Sequence, residues 1–215
     1  MSIYTLREWQ KKNKYINNLI VQASCIYGND SWQDFPIGMQ YSYMDNYYKG
    51  DKIQIGEHNK TVICCIATTT DARRRPTGIN RQSILQTLTY NNIHNECMNS
   101  SDYFDSLPDY KFIISPEGNG IDCHRHYEAL IAGCIPVIEH NSMTEEKYKG
   151  CPILYTYDYH EITEDYLLQK YQEMIDQTYD FSRLFLSYYD DKTKHYIKSC
   201  GNFWTYKFTH EYFYT

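Results

Sequence analysis

The sequence lacks any long apolar run. No hydrophobic stretch approaches the roughly 18 residues that a membrane-spanning helix needs. The first residues, Met1 to Tyr15, are polar and charged and do not resemble a secretion signal. From these two absences we expect no transmembrane segment and a cytoplasmic location.

Paired metal-binding cysteines are missing as well. Eight cysteines are present, but none forms a Cys-x-x-Cys pair. His124 and His126 are two residues apart on a predicted helix, where their rings point about 200° apart and do not easily share an ion. We therefore expect free thiols in a reducing compartment and no metal site.

An excess of positive charge is the third absence. The 215 residues include 21 Lys and Arg against 27 Asp and Glu, for a net charge of −6. A general nucleic-acid-binding domain presents a basic face, so we expect no nucleic acid partner. A Gly-x-Gly-x-x-Gly turn is also absent after the buried run that ends at Ala67, which argues against a dinucleotide-dependent oxidoreductase.

What the chain does contain is an alternation of strand and helix patterns after residue 57. Apolar runs typical of buried parallel strands occur at 61–67, 112–114, 134–138 and 152–155. Helical patterns occur at 81–90, 102–107 and 164–178, and a short edge strand is predicted at 93–98. The loop after the third buried strand is predicted at 140–146. The alternation predicts an α/β fold with a single Rossmann-like parallel sheet and flanking helices.

This α/β unit is predicted to span residues 58–180, between two other segments. Residues 1–57 are interpreted as a short N-terminal helical and loop lobe that begins with a helix from Leu6 to Gln22. Residues 181–215 are interpreted as a C-terminal helical tail. The length of the chain fits one domain of ordinary size with an extra lobe.

The most informative segment runs from Lys111 to Glu139. A buried strand leads into the Gly-rich loop Pro116–Gly120, a short helix that ends at Gly133, and a second buried strand. Asp122 is predicted to cap the helix. This order places a helix N-terminus over the carboxyl end of a parallel sheet, where phosphate groups bind readily.

A helical wheel divides this short helix into two faces. The apolar face should lie on the sheet and contains Tyr127, Leu130, Ile131 and Cys134. The opposite face contains Arg125, Glu128, Ala129 and Ala132. A guanidinium near the helix start suits a diphosphate, a carboxylate one turn later suits ribose hydroxyls, and the alanines leave room for a ligand. These features predict a nucleotide-diphosphate site centred on Arg125 and Glu128.

The same residues carry a family resemblance. The motifs are Ser115-Pro116-x-Gly118, then Arg125, then Glu128-Ala129-Leu130, then Ala132-Gly133-Cys134-Ile135-Pro136-Val137-Ile138. They resemble the donor-binding half of exostosin-type glycosyltransferases and, more broadly, the C-terminal domain of GT-B glycosyltransferases. The resemblance is strong here and extends more weakly from about residue 60 to about residue 180. It implies transfer of a sugar from a nucleoside-diphosphate sugar to a glycan or glycoconjugate, with no obligatory metal or other cofactor.

The resemblance also implies further residues of the donor-sugar site. In the resembled family, an arginine after the first strand commonly approaches the diphosphate. The candidates for this contact are Arg73, Arg74, Arg75 and Arg81. Of these, we predict that Arg75 and Arg81 contact the diphosphate. In the loop after the second strand, Glu117 is predicted to bind hydroxyls of the donor sugar, and the amides from Gly118 through Asn119 and Gly120 to Asp122 are predicted to meet the leaving diphosphate. His140 is a further candidate, for contact with the donor sugar or for proton transfer.

The acceptor side of the reaction stays open. Two-domain GT-B enzymes usually take the acceptor and the catalytic base from an N-terminal domain, and about 57 residues cannot build a domain that needs roughly 100. Three alternatives remain: a reduced single-domain enzyme, a donor half that needs a partner chain, and a degenerate pseudo-glycosyltransferase that only binds nucleotide sugar. Asp34 and Asp45 are candidate bases that nothing in their spacing distinguishes, so no base is assigned. The presence of both Arg125 and Glu128 favours an enzyme.

Overall fold

The structure is a computed structural model that describes most of the α/β region and parts of the N-terminal segment. The described residues are 19–22, 32–35, 37–40, 42–43, 53, 55–56, 58–70, 79–118, 120–192 and 194.

A small two-stranded sheet lies in the N-terminal part of the chain. Strands β1 (Leu19–Gln22) and β2 (Trp32–Phe35) pair in parallel. The prediction of a helix from Leu6 to Gln22 is therefore wrong at its described end, and the rest of that range lies outside the described residues. The β-branched residues Ile20 and Val21 fit a paired strand better than a helix once a partner strand is available.

The main sheet has four parallel strands in the order β3-β4-β5-β6. The strands are β3 (Lys60–Cys64), β4 (Tyr110–Ile114), β5 (Ile135–Glu139) and β6 (Leu154–Thr156). Phe112 of β4 lies opposite Val62 on one side and Ile135 on the other. All four strands thus point the same way, and their carboxyl ends meet at one edge.

Five α-helices accompany the sheet in the described chain. They are α1 (Arg81–Tyr90), α2 (Ser100–Ser106), α3 (His124–Ile131), α4 (Ser142–Lys147) and α5 (Glu164–Ile175). Asn80 and Ser83 form a capping box at the start of α1, and the Thr163 hydroxyl caps α5 by accepting a hydrogen bond from the Tyr166 amide. Gly133 follows α3 with a φ of 78°, a left-handed conformation that ends helices and favours glycine.

Helices cover both faces of the main sheet. Ile113 packs on one face with Leu130 of α3, while its neighbours in β4 pack on the other face with Leu88 of α1 and Leu167 of α5. This alternation is the two-residue period of a strand that is buried on both sides. The predicted α/β class, with a single Rossmann-like parallel sheet and flanking helices, is confirmed. The three-part division of the chain stays a prediction.

Two local predictions need correction. Residues 93–98 form no strand: the Glu96 amide donates one backbone bond to the Cys64 carbonyl at 2.7 Å, and the Asn95 side chain bonds the amide and the carbonyl of Ile66. Residues 140–146 are not simply a loop, since α4 begins at Ser142, where the Asn141 side chain accepts a hydrogen bond from the Met143 amide.

The predicted C-terminal tail is described only in its first part. It contains the short 3₁₀ turns Ser182–Leu184 and Leu186–Tyr188, and residues beyond 194 lie outside the described chain. Within the ranges given above, no helix is both long and apolar enough to cross a membrane.

Candidate functional site

Helix α3 begins at the carboxyl edge of the sheet with an uncapped N-terminus. Cys123 holds the N-cap position and makes no side-chain capping bond, and the first turn contains no acidic residue. The prediction that Asp122 caps this helix is wrong. The partial positive charge of the helix end is consequently not balanced by a capping carboxylate.

Arg125 lies in the first turn of α3, with its guanidinium over the ring of Tyr103. The guanidinium carbon is 5.6 Å from the ring centroid. Its Nε atom is buried and has no hydrogen-bond partner among the described residues. Burial by itself would lower the pKa of Arg125, but the net shift is upward because Tyr103 and Glu128 lie beside it. The site therefore holds a buried, fully charged cation with one N–H donor unused.

Other buried polar atoms near the same edge also lack partners. Ser115 Oγ follows β4 directly, Thr70 Oγ1 lies in the loop after β3, and the Tyr103 hydroxyl lies beside Arg125. None of the three has a hydrogen-bond partner within the described chain. Folded proteins pair nearly all such atoms, so this grouping marks the edge as a place where a bound polar molecule fits. Ser115 belongs to the motif Ser115-Pro116-x-Gly118 but was given no role of its own, and Thr70 and Tyr103 were not predicted as site residues.

Glu128 lies one turn further along α3 and is almost completely buried. Its exposed fraction is 1 %, and its Oε1 accepts a hydrogen bond of 3.1 Å from the Gln40 amide. Burial raises the pKa of Glu128 to about 7, although the Gln40 amide and Arg125 act in the opposite direction. The carboxylate that sequence reasoning assigned to ribose is thus beside Arg125, as predicted, but covered.

The cover is a segment of the N-terminal region, residues 37–40, which we call the strap. The Ile37 amide donates to Asp122 Oδ2 at 2.9 Å, and the Gly38 carbonyl accepts from His124 Nδ1 at 2.5 Å. Met39 is 1 % exposed and belongs to the same apolar core as α3. The strap therefore crosses the first turns of α3.

The strap covers part of the α3 face that the helical wheel predicted to be open to a ligand. Ala129 was predicted to leave room for a ligand, but it is fully buried in the core that also contains Met39 and Tyr43. That prediction is wrong because a wheel assumes one packing partner, whereas α3 packs against the sheet and against the N-terminal region.

Asp122 is the centre of a buried hydrogen-bond network. It accepts bonds from the Ile37 amide at 2.9 Å, Tyr127 Oη at 3.0 Å, Lys147 Nζ at 3.2 Å, and the Tyr148 hydroxyl. Burial would raise its pKa, but Lys147 and the Tyr148 hydrogen bond make the net shift downward. No sequence signal indicated this network, since its donors are scattered from residue 37 to residue 148.

The Gly-rich loop is buried and tightly packed. The Gly118 amide donates to the Gly120 carbonyl at 3.0 Å, and the Glu117 amide donates to Glu139 Oε2 at 3.0 Å. A Cβ at Gly118 would lie 2.9 Å from Arg81 Nη2, so any larger residue would have to displace this guanidinium. Asn119 lies outside the described residues.

Arg81 holds the loops at this edge together. Its guanidinium donates to the carbonyls of Ala67 at 3.1 Å, Pro116 at 3.0 Å and Glu117 at 2.8 Å. The predicted diphosphate contact of Arg81 stays a prediction, and so does that of Arg75. Arg75 lies with Arg73 and Arg74 outside the described residues.

The two histidines that flank Arg125 point to different partners. His126 Nε2 donates to the Ser115 carbonyl at 2.9 Å, while His124 bonds the strap. Burial lowers the pKa of His126 to about 4, so it is neutral near pH 7. The two side chains thus bond different parts of the structure. Across the described ranges, no three His, Cys, Asp or Glu side chains gather as metal ligands, and the described cysteines are free thiols.

The remaining candidates are less informative. His140 lies just after β5, with Nε2 3.3 Å from Glu145 Oε2. Asp34 lies in β2, and Asp45 lies outside the described residues. A cavity of about 630 Å³ lies at the other end of the sheet, bounded by Lys60, Tyr110 and Glu164 among others, and is separate from Arg125.

Comparison with known proteins identifies the family. No curated protein matches the chain. The model of the RXYLT1 C-terminal domain matches residues 75–199, which is more than half of the chain and includes α3 and the strands on both sides of it. The chain therefore belongs to the RXYLT1 C-terminal domain family and is a glycosyltransferase-family protein.

Proposed function

We propose that the protein is a glycosyltransferase of the exostosin-like, GT-B type, which binds a nucleoside-diphosphate sugar at the carboxyl edge of its main sheet. In the reaction, the bond between the anomeric carbon and the diphosphate oxygen breaks. A bond forms between that carbon and a hydroxyl oxygen of a glycan or glycoconjugate. The nucleoside diphosphate leaves, and the hydroxyl proton passes to a base that we do not assign.

The observation that carries this proposal is the state of Arg125. It is a buried cation in the first turn of an uncapped helix, and its Nε donor has no partner among the described residues. A diphosphate oxygen is an acceptor of the right charge for both the guanidinium and the helix N-terminus. Negative charge develops on that oxygen as the sugar leaves, so the same groups stabilise the transition state.

The other predicted residues have supporting roles in this proposal. Glu128 binds the ribose hydroxyls once the strap moves aside, and the loop that contains Glu117, Gly118, Asn119 and Gly120 contacts the donor. Arg81 orders that loop, and Arg75 approaches the diphosphate. Because a guanidinium and a helix N-terminus supply the positive charge, the proposed chemistry needs no obligatory metal.

Calorimetric titration of the full chain with UDP, GDP and their sugars tests the site. We expect Arg125→Met to weaken nucleotide binding roughly ten- to hundredfold, as loss of a charge-assisted hydrogen bond predicts. Arg183→Met is the matched control, since Arg183 also lies over a tyrosine ring, at 5.4 Å, but far along the chain beside Glu146. Absence of any nucleotide binding to the unmodified chain would overturn the proposal.

A second candidate is a non-catalytic nucleotide-sugar-binding subunit that needs a partner chain. The strap supports it, because Gln40 already bonds the carboxylate that ribose would need. Donor hydrolysis and transfer to a panel of oligosaccharides separate the two candidates. Binding without either reaction favours the subunit, and turnover by the purified chain excludes it.

The cytoplasmic location is also part of the proposal. The free thiols of the described chain support it, including the exposed Cys97. Fractionation of cells that express the full chain tests it, and recovery in a secretory compartment would contradict it.

A further inference from the structure

Three aromatic rings cluster at the carboxyl ends of β5 and β6, and two of them are stacked. Tyr157 lies nearly parallel to His140, with ring centroids 4.5 Å apart and an angle of 22° between the planes. Tyr155 meets the same imidazole edge-on, at 5.9 Å and 73°. We call Tyr157 and His140 the aromatic platform. It lies at the same edge as Arg125 but toward the opposite side strand of the sheet.

The lower ring of the platform is held in place from several directions. The His140 amide donates to the Thr156 carbonyl at 2.8 Å, which continues the pairing of β5 with β6 beyond the last strand residues. His140 Nε2 is 3.3 Å from Glu145, and the Tyr155 hydroxyl, next to the ring, donates to the Thr144 carbonyl at 3.3 Å. The orientation of the imidazole is therefore fixed by strand pairing and by α4.

The upper ring is held but left open to solvent. Tyr157 is 80 % exposed, although it is stacked on His140. An aromatic ring fixed on one face offers its other face at a low cost in conformational entropy. Aromatic rings of this kind commonly line small-molecule sites.

The position of the platform relative to Arg125 restricts what it can bind. Arg125 lies over Tyr103 and near Cys64 at the end of β3, whereas Tyr157 follows β6. Two strand spacings separate β4 from β6, or roughly 10 Å. If the diphosphate lies at Arg125, the platform lies further along the same edge of the sheet, on the side of β6. Glu139, adjacent to His140, already bonds the loop in between through the Glu117 amide.

We propose that the aromatic platform of Tyr157 and His140 is a sugar-binding subsite that stacks on the apolar face of a pyranose ring. This inference rests on the proposed transferase function and adds a contact to it. The C–H groups of a pyranose face carry slight positive charge, which the negative face of the tyrosine ring attracts. The ring can belong to the donor sugar or to the acceptor glycan, and the experiment separates these sources.

The test compares Tyr157→Ala with Tyr157→Phe, and uses Tyr90→Ala as a matched control. Tyr90 is another exposed tyrosine, 85 % exposed, at the end of α1 beside the distant cavity. Titrations use UDP alone, then UDP-glucose, UDP-galactose and UDP-xylose, then cellobiose and lactose in the presence of UDP. Saturation-transfer NMR on the same samples reports which sugar protons contact the protein.

We expect Tyr157→Ala to leave UDP affinity unchanged and to weaken binding of a sugar probe roughly three- to tenfold. Tyr157→Phe and Tyr90→Ala should bind like the unmodified chain. Weakening confined to UDP-sugars assigns the platform to the donor sugar, and weakening confined to free disaccharides assigns it to the acceptor.

Two outcomes overturn the inference while leaving the proposed function intact. One is UDP binding with no sugar probe affected by Tyr157→Ala, and the other is weaker binding of UDP itself, which would place a nucleobase on the ring. Failure of UDP to bind the unmodified chain at all, by contrast, overturns the proposed function first.

Discussion

Asp122 and Arg125 are three residues apart at the start of one helix, and both place a charge in the interior. Asp122 accepts hydrogen bonds from four protein donors, including Lys147 and Tyr148. Arg125 has an aromatic ring and a carboxyl group beside it, and its Nε finds no acceptor in the described chain. The protein supplies hydrogen-bond donors to the Asp122 carboxylate, whereas one donor of the Arg125 guanidinium has no acceptor in the described chain.

This difference separates a structural charge from a candidate functional one. A buried charge with all its hydrogen bonds made holds segments together, here the strap, α3 and α4. A buried charge with an unused donor stabilises the fold less than a bonded one would, so its value to the protein lies in what it binds. The comparison therefore predicts that mutation of Asp122 lowers stability, whereas mutation of Arg125 weakens ligand binding and leaves stability largely intact.

Removal of the Asp122 carboxylate should have the largest effect on stability. In Asp122→Ala, the buried Lys147 ammonium and the Ile37 amide lose their acceptor, which we expect to cost about 3–5 kcal/mol of unfolding free energy. Urea unfolding measures the change. Glu173→Ala, which removes an exposed partner of Lys170, is the control and should leave the midpoint nearly unchanged. Equal effects of the two substitutions would show that the Asp122 network is not structural.

The buried carboxyl group of Glu128 predicts that the free energy of unfolding depends on pH. Glu128 has a pKa of about 7 in the folded chain against an ordinary value of 4.5. The folded state therefore binds this proton more tightly, and the associated stability is present below pH 4.5 and lost as the pH rises through 7. The loss approaches roughly 3 kcal/mol. Unfolding free energies of the unmodified chain and of Glu128→Gln, measured between pH 4.5 and 8, report the difference.

The comparison of the unmodified chain with Glu128→Gln is needed because His126 changes the stability with pH in the opposite direction. Its pKa falls from 6.5 to about 4 on folding, so it adds stability as the pH rises through that window. Glu128→Gln leaves His126 in place, and subtraction isolates the carboxyl group. Parallel stability curves for the two proteins would mean that Glu128 is ionised in the fold.

A smaller effect on stability is expected for a substitution in the Gly-rich loop. In Gly118→Ala, the new methyl group would approach Arg81 Nη2 to 2.9 Å and Cys123 Sγ to 3.4 Å. The guanidinium must shift and weaken its bonds to the Pro116 and Glu117 carbonyls, at a cost of roughly 1 kcal/mol. If Arg81 is the reason, the effect shrinks in an Arg81→Met background. Full additivity in that double-mutant cycle would contradict the assignment.

Much of the fold could be predicted from the sequence because its signals are local. The run Phe112–Ile114, the Gly-rich loop and Gly133 each act within a few residues, and the predicted strand–loop–helix–strand order is confirmed. The helix predicted at 81–90 matches α1 because Asn80 and Ser83 cap it locally. The predictions at 93–98 and at 140–146 were wrong where one asparagine side chain, Asn95 or Asn141, decided the local structure.

The candidate site was predicted in part, for a related reason. Residue type and helical spacing placed Arg125 and Glu128 together, and the structure brings them together. Neither could indicate that Gln40 covers Glu128, or that Tyr103 lies under Arg125, because these contacts join segments far apart in the chain. The network of Asp122 was missed because a single aspartate before a helix is most simply read as a cap.

The most direct test of the central claim is the thermal stability of Arg125→Met with and without nucleotide. The substitution removes an unused donor and keeps an apolar stem, and Glu128 beside it can stay protonated, so no charge is stranded. We predict a melting temperature equal to or above that of the unmodified chain. For UDP at a hundredfold excess over its dissociation constant, the unmodified chain should gain roughly 5–10 °C, and Arg125→Met at the same concentration should lose most of this gain. A marked fall in melting temperature with the UDP gain retained would contradict the account, because Arg125 would then be structural, like Asp122.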